Sequence, residues 1–504
     1  MSFHSLPFAA LLFIALLLCR CVPAARRWWV LLGCSLAFYG YWDYRYLGLL
    51  LLCGVSTHAA ALALQHVAKH ALARAGVLAA MLSLNLGILF LFKYWGLFSS
   101  TVIAWGGDVP GTLQLLLPIG ISFYTFQSIG YVVDVYRRKV VAEPSLPRTI
   151  LFIAYFPQLI AGPIERAGRL LPRLRMPIRF RMQDLRRGAW LALWGLFKKI
   201  VIADRLGIYV DEVYDNPDAA SAGMLWAATY AFAHQIYCDF SGYSDMAIGV
   251  SRMFGIDLMR NFRMPYLAIG FRDFWARWHI SLSTWFRDYV YIPLGGNRCG
   301  SVRWIVNLLL VFTVSGLWHG ARWTFVLWGL LHGVLVVGEL MLGWWMDRMA
   351  SNDAANRSVP SNAQPGDQDL RRPTDHPPKR RHGLMQRILH GAGVLFTFHV
   401  VLVTWVFFRC ESYADLCLVL RTLFTGSGGF IPALAGQFTA FELVVAAMAM
   451  AWMFLIEMRY QGDVGRWVHR RPRQPWWAVV LVTLLLVLNF GLFDSPKSFV
   501  YFQF

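Results

Sequence analysis

Apolar runs long enough to cross a bilayer recur along nearly the whole chain, and that recurrence restricts the fold more than any other feature. Candidate spans lie near residues 28–44, 46–65, 76–98, 115–136, 187–207, 222–250, 303–319, 321–345, 384–408, 437–457 and 476–494. A helical crossing takes ~20 residues at ~1.5 Å each. Hydrocarbon offers backbone N–H and C=O groups no partner, and a helix satisfies them within the segment itself. The composition agrees: 57% of the 504 residues are hydrophobic, 15% are charged, and the mean hydropathy is +0.48. A soluble domain cannot hide that much apolar surface. The expected fold is an all-α polytopic membrane protein of about 11–13 transmembrane helices, with re-entrant and interfacial helices added.

The formal charge of +19 could indicate nucleic acid, but the basic residues fall in short loops between spans rather than on one soluble domain. That is the positive-inside distribution, so no nucleic-acid partner is expected and the lipid bilayer is. Loops 166–187, 252–303 and 459–473 and the polar stretch 350–383 are expected on the cytoplasmic side, with both termini outside. Phe8–Cys19 reads as a retained first anchor, because no basic residue precedes it. The eight cysteines are scattered, with no C-x-x-C pair, so neither a disulfide framework nor a metal site is expected. The chain divides into a membrane domain over 1–349, a disordered cytoplasmic linker over 350–383, and C-terminal transmembrane helices of the same domain over 384–504.

Several segments depart from a plain crossing. Ile150–Ile164 is apolar but holds Pro157, Gly162 and Pro163 and has basic loops on both sides, the pattern of a re-entrant segment lined by protein or water. Pro118–Gln127 is too polar to face lipid on every side. Asp239 and Asp245 lie in an apolar helix and need cationic partners, for which Arg252, Arg260 and Arg263 are the candidates. The aromatic and basic stretch within 252–303 suits an interfacial helix in the headgroup layer.

Two short motifs bracket the apolar stretch Trp304–Val314: Arg277-Trp278-His279-Ile280-Ser281-Leu282-Ser283 and Gly316-Leu317-Trp318-His319-Gly320. Each puts a histidine directly after a tryptophan. From Arg303 the 16 residues to His319 rise ~24 Å, well inside a ~30 Å hydrocarbon core. Ionisable groups at that depth are functional suspects. The plainer reading makes both histidines helix-end residues bonded to nearby backbone, and two such pairs so close together weaken it. Being forty residues apart, His279 and His319 can meet only through folding.

Taken together these segments resemble the membrane-bound O-acyltransferase family, in particular its bacterial branch typified by alginate O-acetyltransferase and, more distantly, by the D-alanyl transferase of teichoic acid. The resemblance rests on Pro118–Gln127, Tyr155–Ile164, Tyr237–Asp245, Phe274–Arg298, Trp318-His319-Gly320 and Val500–Phe504, and Pro293–Arg298 is closest to the polysaccharide-acetylating members. The polar stretch 350–383 departs from the family pattern. The resemblance implies tilted helices around a central chamber, His319 as the catalytic base and His279 as a secondary polar group. It also implies a donor that enters from the cytoplasm and an acceptor that meets it from outside.

The expected activity is transfer of acetyl groups from cytosolic acetyl-CoA toward an alginate-like exopolysaccharide or another extracytoplasmic glycan. Transfer would be direct or relayed by a separate periplasmic acetyltransferase working with the polysaccharide synthesis machinery, at the bacterial cytoplasmic (inner) membrane. No resident cofactor is expected. Arg277, Arg298 and Arg303 are candidates to meet the phosphates of coenzyme A at the cytoplasmic mouth, with membrane orientation the alternative for each. Two rival functions are a transporter or flippase for a lipid-linked glycan and a scaffold for a polysaccharide synthase. Neither explains the two histidine motifs.

Overall fold

The computed structural model of the protein describes residues 3–109, 115–357, 384–429, 440–460, 476–493 and 499. Among the described residues there are helices and turns and no strand. Helix α1 (Leu6–Cys21) leads into α2 (Arg27–Asp43) and α3 (Leu47–His66), which meet at a short turn where the Asp43 carboxylate takes the N–H of Arg45. The long α4 (Ala71–Ala104) follows. Five helical stretches among the described residues are long and apolar enough to cross a membrane: Ala24–His66, Ala71–Ala104, Ser301–His319, Trp323–Met349 and Ile388–Arg409. The protein is a multi-pass membrane protein.

The polar stretch at 118–127 is turned almost wholly into protein. Helix α5 (Ile121–Tyr136) starts only after Gly120, at φ +76°, and Ile121–Val132 are all buried. A Cβ on Gly120 would stand 2.5 Å from the Leu159 carbonyl oxygen, so only glycine lets this turn approach the next segment. That segment is the expected re-entrant one. It breaks into α6 (Leu146–Ala154) and α7 (Phe156–Leu159), and Leu151–Ile164 are buried throughout. Its interrupted backbone finds partners inside the protein: Gln127 and Gln158 both donate to the Phe152 carbonyl (2.6 and 2.9 Å), Ser35 accepts from the Phe156 N–H (3.1 Å), and Ser281 accepts from the Ile164 N–H (3.0 Å). Broken backbone at membrane depth is tolerable on those terms. Helix α8 (Ala167–Arg175) follows.

Helices α9 (Met182–Phe197) and α11 (Ala222–Met253) pack at backbone contact, with α10 (Asp204–Tyr214) between them in sequence. A Cβ on Gly195 would meet the Gly242 carbonyl at 2.3 Å, and one on Gly188 would meet that of Gly249 at 2.4 Å; both relations hold in reverse at 2.7 and 2.6 Å. Seven residues separate the glycines on each helix, so the two pairs lie along one seam, as small residues do in membrane helix pairs.

That seam brings a wider turn at Lys198–Ala203 against α11, and there the partners of the buried aspartates differ from expectation. Lys198 pairs with Asp245 (2.7 Å) and Lys199 with Asp239 and Asp204 (2.8 Å each). Arg252 instead serves Asp184 and Asp257. The lysines win because they sit on the facing helix at the same level, whereas Arg252 lies at the end of α11. Glu457, on α18 (Ala440–Tyr460), joins through Lys198 (3.4 Å) and the Tyr237 hydroxyl (2.7 Å).

Between α11 and the next crossing the chain forms α12 (Phe271–Arg277) and α13 (Ile280–Phe286). Their aromatic side is turned into the protein rather than into a headgroup layer, with Phe274, Trp278, Leu282 and Trp285 all buried. Helix α14 (Ser301–His319) and α15 (Trp323–Arg357) then pack closely, since a Cβ on Gly316 would meet the Phe325 carbonyl at 2.2 Å and one on Gly329 that of Phe312 at 2.3 Å. Helix α15 continues into the stretch read as a linker, and 358–383 lie outside the described residues, as do the closing motif 500–504 and most of the basic loop 459–473. Helices α16 (Leu384–Arg409), α17 (Tyr413–Thr425) and α19 (Trp476–Phe490) complete the fold around α18.

Candidate active site

His319 is the last residue of α14, and its neighbourhood follows from how that helix ends. The chain leaves in an extended conformation at Gly320, where a Cβ would collide with the Phe325 ring at 2.2 Å. The two glycines of Gly316-Leu317-Trp318-His319-Gly320 therefore have packing reasons: one seats α14 on α15, and the other lets the chain turn past Phe325. The final carbonyls of α14 are met from α4. The Lys93 ammonium donates to the carbonyls of Trp318 (2.6 Å) and His319 (3.2 Å), and the Tyr94 hydroxyl donates to that of Leu317 (3.1 Å). A cation at a helix C-terminus complements the helix dipole. Sequence reasoning passed over both residues, since one lysine in a long apolar helix gives no hint of its partner.

His279 stands between α12 and α13 at φ +42°, ψ +53°. Left-handed backbone is uncommon for a residue with a Cβ and costs about 1–3 kcal/mol. It persists because both following amides are held by Asn261: the Ile280 N–H donates to its backbone carbonyl (2.9 Å) and the Ser281 N–H to its side-chain oxygen (3.3 Å). Asn261 is itself fixed by donating to the Ser244 hydroxyl (3.1 Å) on α11. The turn aims the His279 imidazole at the end of α14.

The fold thus joins the two Trp-His motifs. The imidazoles of His279 and His319 lie 6.3 Å apart between ring centroids, at 62° to each other, and both residues are at most 2% exposed. Phe240 meets the His279 ring edge-on at 4.6 Å, and Trp318 lies 5.9 Å from it. Trp328 and Phe408 enclose His319 at 5.2 and 5.6 Å. Neither ring nitrogen of His279 has a hydrogen-bond partner among the described residues.

A third buried histidine makes the contrast. His332 on α15 accepts from the Trp275 indole N–H at Nδ1 (3.3 Å), which leaves Nε2 to donate to the Thr404 hydroxyl (3.0 Å). Both of its nitrogens are engaged, and it behaves as part of the packing.

Of the three arginines expected at a donor mouth, Arg277 is half-buried and ion-paired with Asp273 (2.8 Å). Arg298 and Arg303 are exposed, and Arg303 donates to the Leu294 carbonyl (3.3 Å). Arg303 and His319 lie near opposite ends of α14, ~24 Å apart along its axis. The fold brings the two histidines together, and Arg303 stands at the far end of α14 from His319.

Comparison with known proteins decides what this geometry belongs to. The family model for membrane-bound O-acyltransferases matches residues 36–363. The chain belongs to the membrane-bound O-acyltransferase family. It is 31% identical to the peptidoglycan O-acetyltransferase of Helicobacter pylori over 96% of this chain and 92% of that protein. It is 37% identical to the probable alginate O-acetylase of Pseudomonas aeruginosa over 76% of this chain and 67% of that protein. The teichoic acid D-alanyltransferase of Bacillus subtilis is 30% identical over 44% of this chain and 59% of its own length. Membership makes the protein an O-acyltransferase, and the flippase and scaffold readings draw no support from it.

Proposed function

We propose that this O-acyltransferase carries acetyl groups from cytosolic acetyl-CoA to hydroxyl groups of a polysaccharide outside the bacterial cytoplasmic membrane, either directly or through a periplasmic acetyltransferase partner. The observation that carries the reading is the pair of buried imidazoles 6.3 Å apart at the C-terminal end of α14. The relatives named for peptidoglycan and alginate O-acetylation support a glycan acceptor over a lipid or a sterol. A thioester of coenzyme A carries several phosphate charges and cannot cross hydrocarbon, so only its acetyl group is handed across.

In this mechanism His319, as a neutral imidazole, takes the proton of the acceptor hydroxyl while that oxygen attacks the thioester carbonyl. The carbon–sulfur bond breaks, the new ester C–O bond remains, and the departing thiolate receives the proton from His319. His279 positions the acceptor or relays the proton. Lys93 keeps the end of α14 in place through its carbonyls. Arg277 is already committed to Asp273, which leaves Arg298 and Arg303 as the better placed of the three to meet donor phosphates.

The test reconstitutes the purified protein in liposomes with acetyl-labelled acetyl-CoA on the side of the arginine-rich loops and a soluble glycan on the other. Labelled acetyl ester on the glycan, or on a supplied periplasmic partner, is the expected result. Untouched donor, with label in neither acceptor nor free acetate, would count against the reading.

A further inference from the structure

The arginine-rich stretch after the re-entrant segment is not absorbed by the histidine site. The chain leaves α8 with Met176 extended and enters α9 with Arg181 extended. Neighbouring side chains on such a segment point to opposite sides. Ile178 is buried, its N–H donates to the Ala24 carbonyl (3.3 Å), and its own carbonyl accepts from Arg27 (2.6 Å). Phe180 packs on Phe254 (6.2 Å between centroids) and beneath the Arg27 guanidinium (5.0 Å). Arg179 and Arg181, both exposed, therefore share the other side.

They line a cleft of about 580 Å³ whose opposite wall is the end of α11. The walls approach at Gly255, φ +76°, where a Cβ would stand 3.0 Å from the Arg179 carbonyl oxygen. Arg173 and Arg252 complete the lining with Asp184 and Asp257. Arg252 is bonded to both aspartates, and Arg173 donates to the Asp257 backbone carbonyl. Among the described residues Arg179 and Arg181 have no ion-pair partner. Four guanidiniums against two carboxylates leave the cleft with an excess of positive charge.

We propose that this cleft binds an organic phosphate, gripped by Arg179 and Arg181 against the fixed wall of Arg173 and Arg252. Guanidinium forks match phosphate oxygens in pairs, and the volume suits a small organic ligand rather than a single inorganic ion. The wall also leads to the histidines. Asp257 is four residues from Asn261, at most ~14 Å along extended chain, and Asn261 holds both amides that follow His279. A phosphorylated molecule anchored here by its charged end, with a long flexible arm, lies within reach of that site. Two sources carry this chemistry: the nucleotide end of coenzyme A and the headgroup of an anionic phospholipid.

The test measures binding, not turnover, so it stands or falls separately from acetyl transfer. The full-length protein in phosphatidylcholine nanodiscs is titrated with coenzyme A. The expected result is a dissociation constant weakened about 10- to 100-fold in R179Q/R181Q and an intermediate loss in R179K/R181K, which keeps charge but not the fork. In a second arm, nanodiscs containing phosphatidylglycerol are analysed for lipid retained through purification. Retention by the wild type and loss in R179Q/R181Q, with coenzyme A affinity unchanged, supports the same phosphate site with lipid as its source. If R179Q/R181Q keeps wild-type thermal stability and both affinities, the proposal is overturned.

Discussion

Replacing Gly316 with alanine tests whether the close seating of α14 on α15 sets the position of His319. The added Cβ would stand 2.2 Å from the Phe325 carbonyl oxygen, with the Gly329 Cα at 2.9 Å. Ordinary contact begins near 3.4 Å, so α14 must move outward by about 1.2 Å at a point three residues before His319. Overpacking of this kind costs about 1–3 kcal/mol. A displacement of ~1 Å at a reacting group can cost about 10²-fold in rate. The expected outcome is a protein that inserts, melts a few degrees lower and loses about two orders of magnitude in acetyl transfer, although Gly316 presents no chemical group to a substrate. Gly338→Ala is the matched control on α15, since a Cβ there meets nothing within 4 Å, and it should be neutral or slightly stabilising. Transfer is followed with labelled acetyl-CoA in proteoliposomes, and stability by thermal unfolding in detergent. Wild-type transfer and melting in G316A would refute the claim that this contact positions His319.

His319→Ala should lower transfer about 10²- to 10⁴-fold, the usual worth of a general base, at normal expression, and His279→Ala should lower it less; the opposite ranking in the same proteoliposome assay would exchange the two roles. Lys93→Met removes the cation at the end of α14 and should lower kcat about tenfold with little change in donor KM, with partial rescue by Lys93→Arg; an unchanged kcat means that the lysine does not position the site. Lys198→Met strands Asp245 and Glu457 and should cost about 3–5 kcal/mol, the usual penalty for leaving buried charge uncompensated, visible as a lower melting temperature. Single cysteines placed at 357 or 384 should resist a membrane-impermeant maleimide applied from the periplasm; labelling from that side would reverse the topology drawn from loop charge.

What the sequence made legible was governed by periodicity and by interruption. Apolar length located the helices, and Pro157 with Gly162 marked the broken segment, because hydrocarbon enforces both rules without reference to distant residues. The pairing of His279 with His319 could be reached only through resemblance, since nothing local in a forty-residue interval fixes where its ends meet. The wider turns at Phe90–Tyr94 and Lys198–Ala203 left no trace in the apolar pattern, yet they present Lys93 and the two buried lysines. Assigning Asp239 and Asp245 to arginines followed proximity in sequence. The true partners lie some forty residues back on the facing helix, and only the glycine seam between α9 and α11 brings them level.

That seam also bears on the histidine site. Asp239 and Phe240 are adjacent on α11, and adjacent residues on a helix point about 100° apart. Asp239 is tied to Lys199 on the α9 side, while Phe240 meets His279 edge-on at 4.6 Å. The ion pairs therefore fix the rotation of α11 about its axis, and with it the wall against which His279 rests. Ser244, one turn further along α11, holds Asn261, and Asn261 holds the left-handed turn at His279. Buried ion pairs are weak sources of net stability, but separating the partners leaves a buried charge uncompensated, which disfavours other rotations of α11. Here the arrangement they select is the one that turns the His279 ring toward His319, so the charge network lies upstream of the site in the physical argument even though it touches neither imidazole.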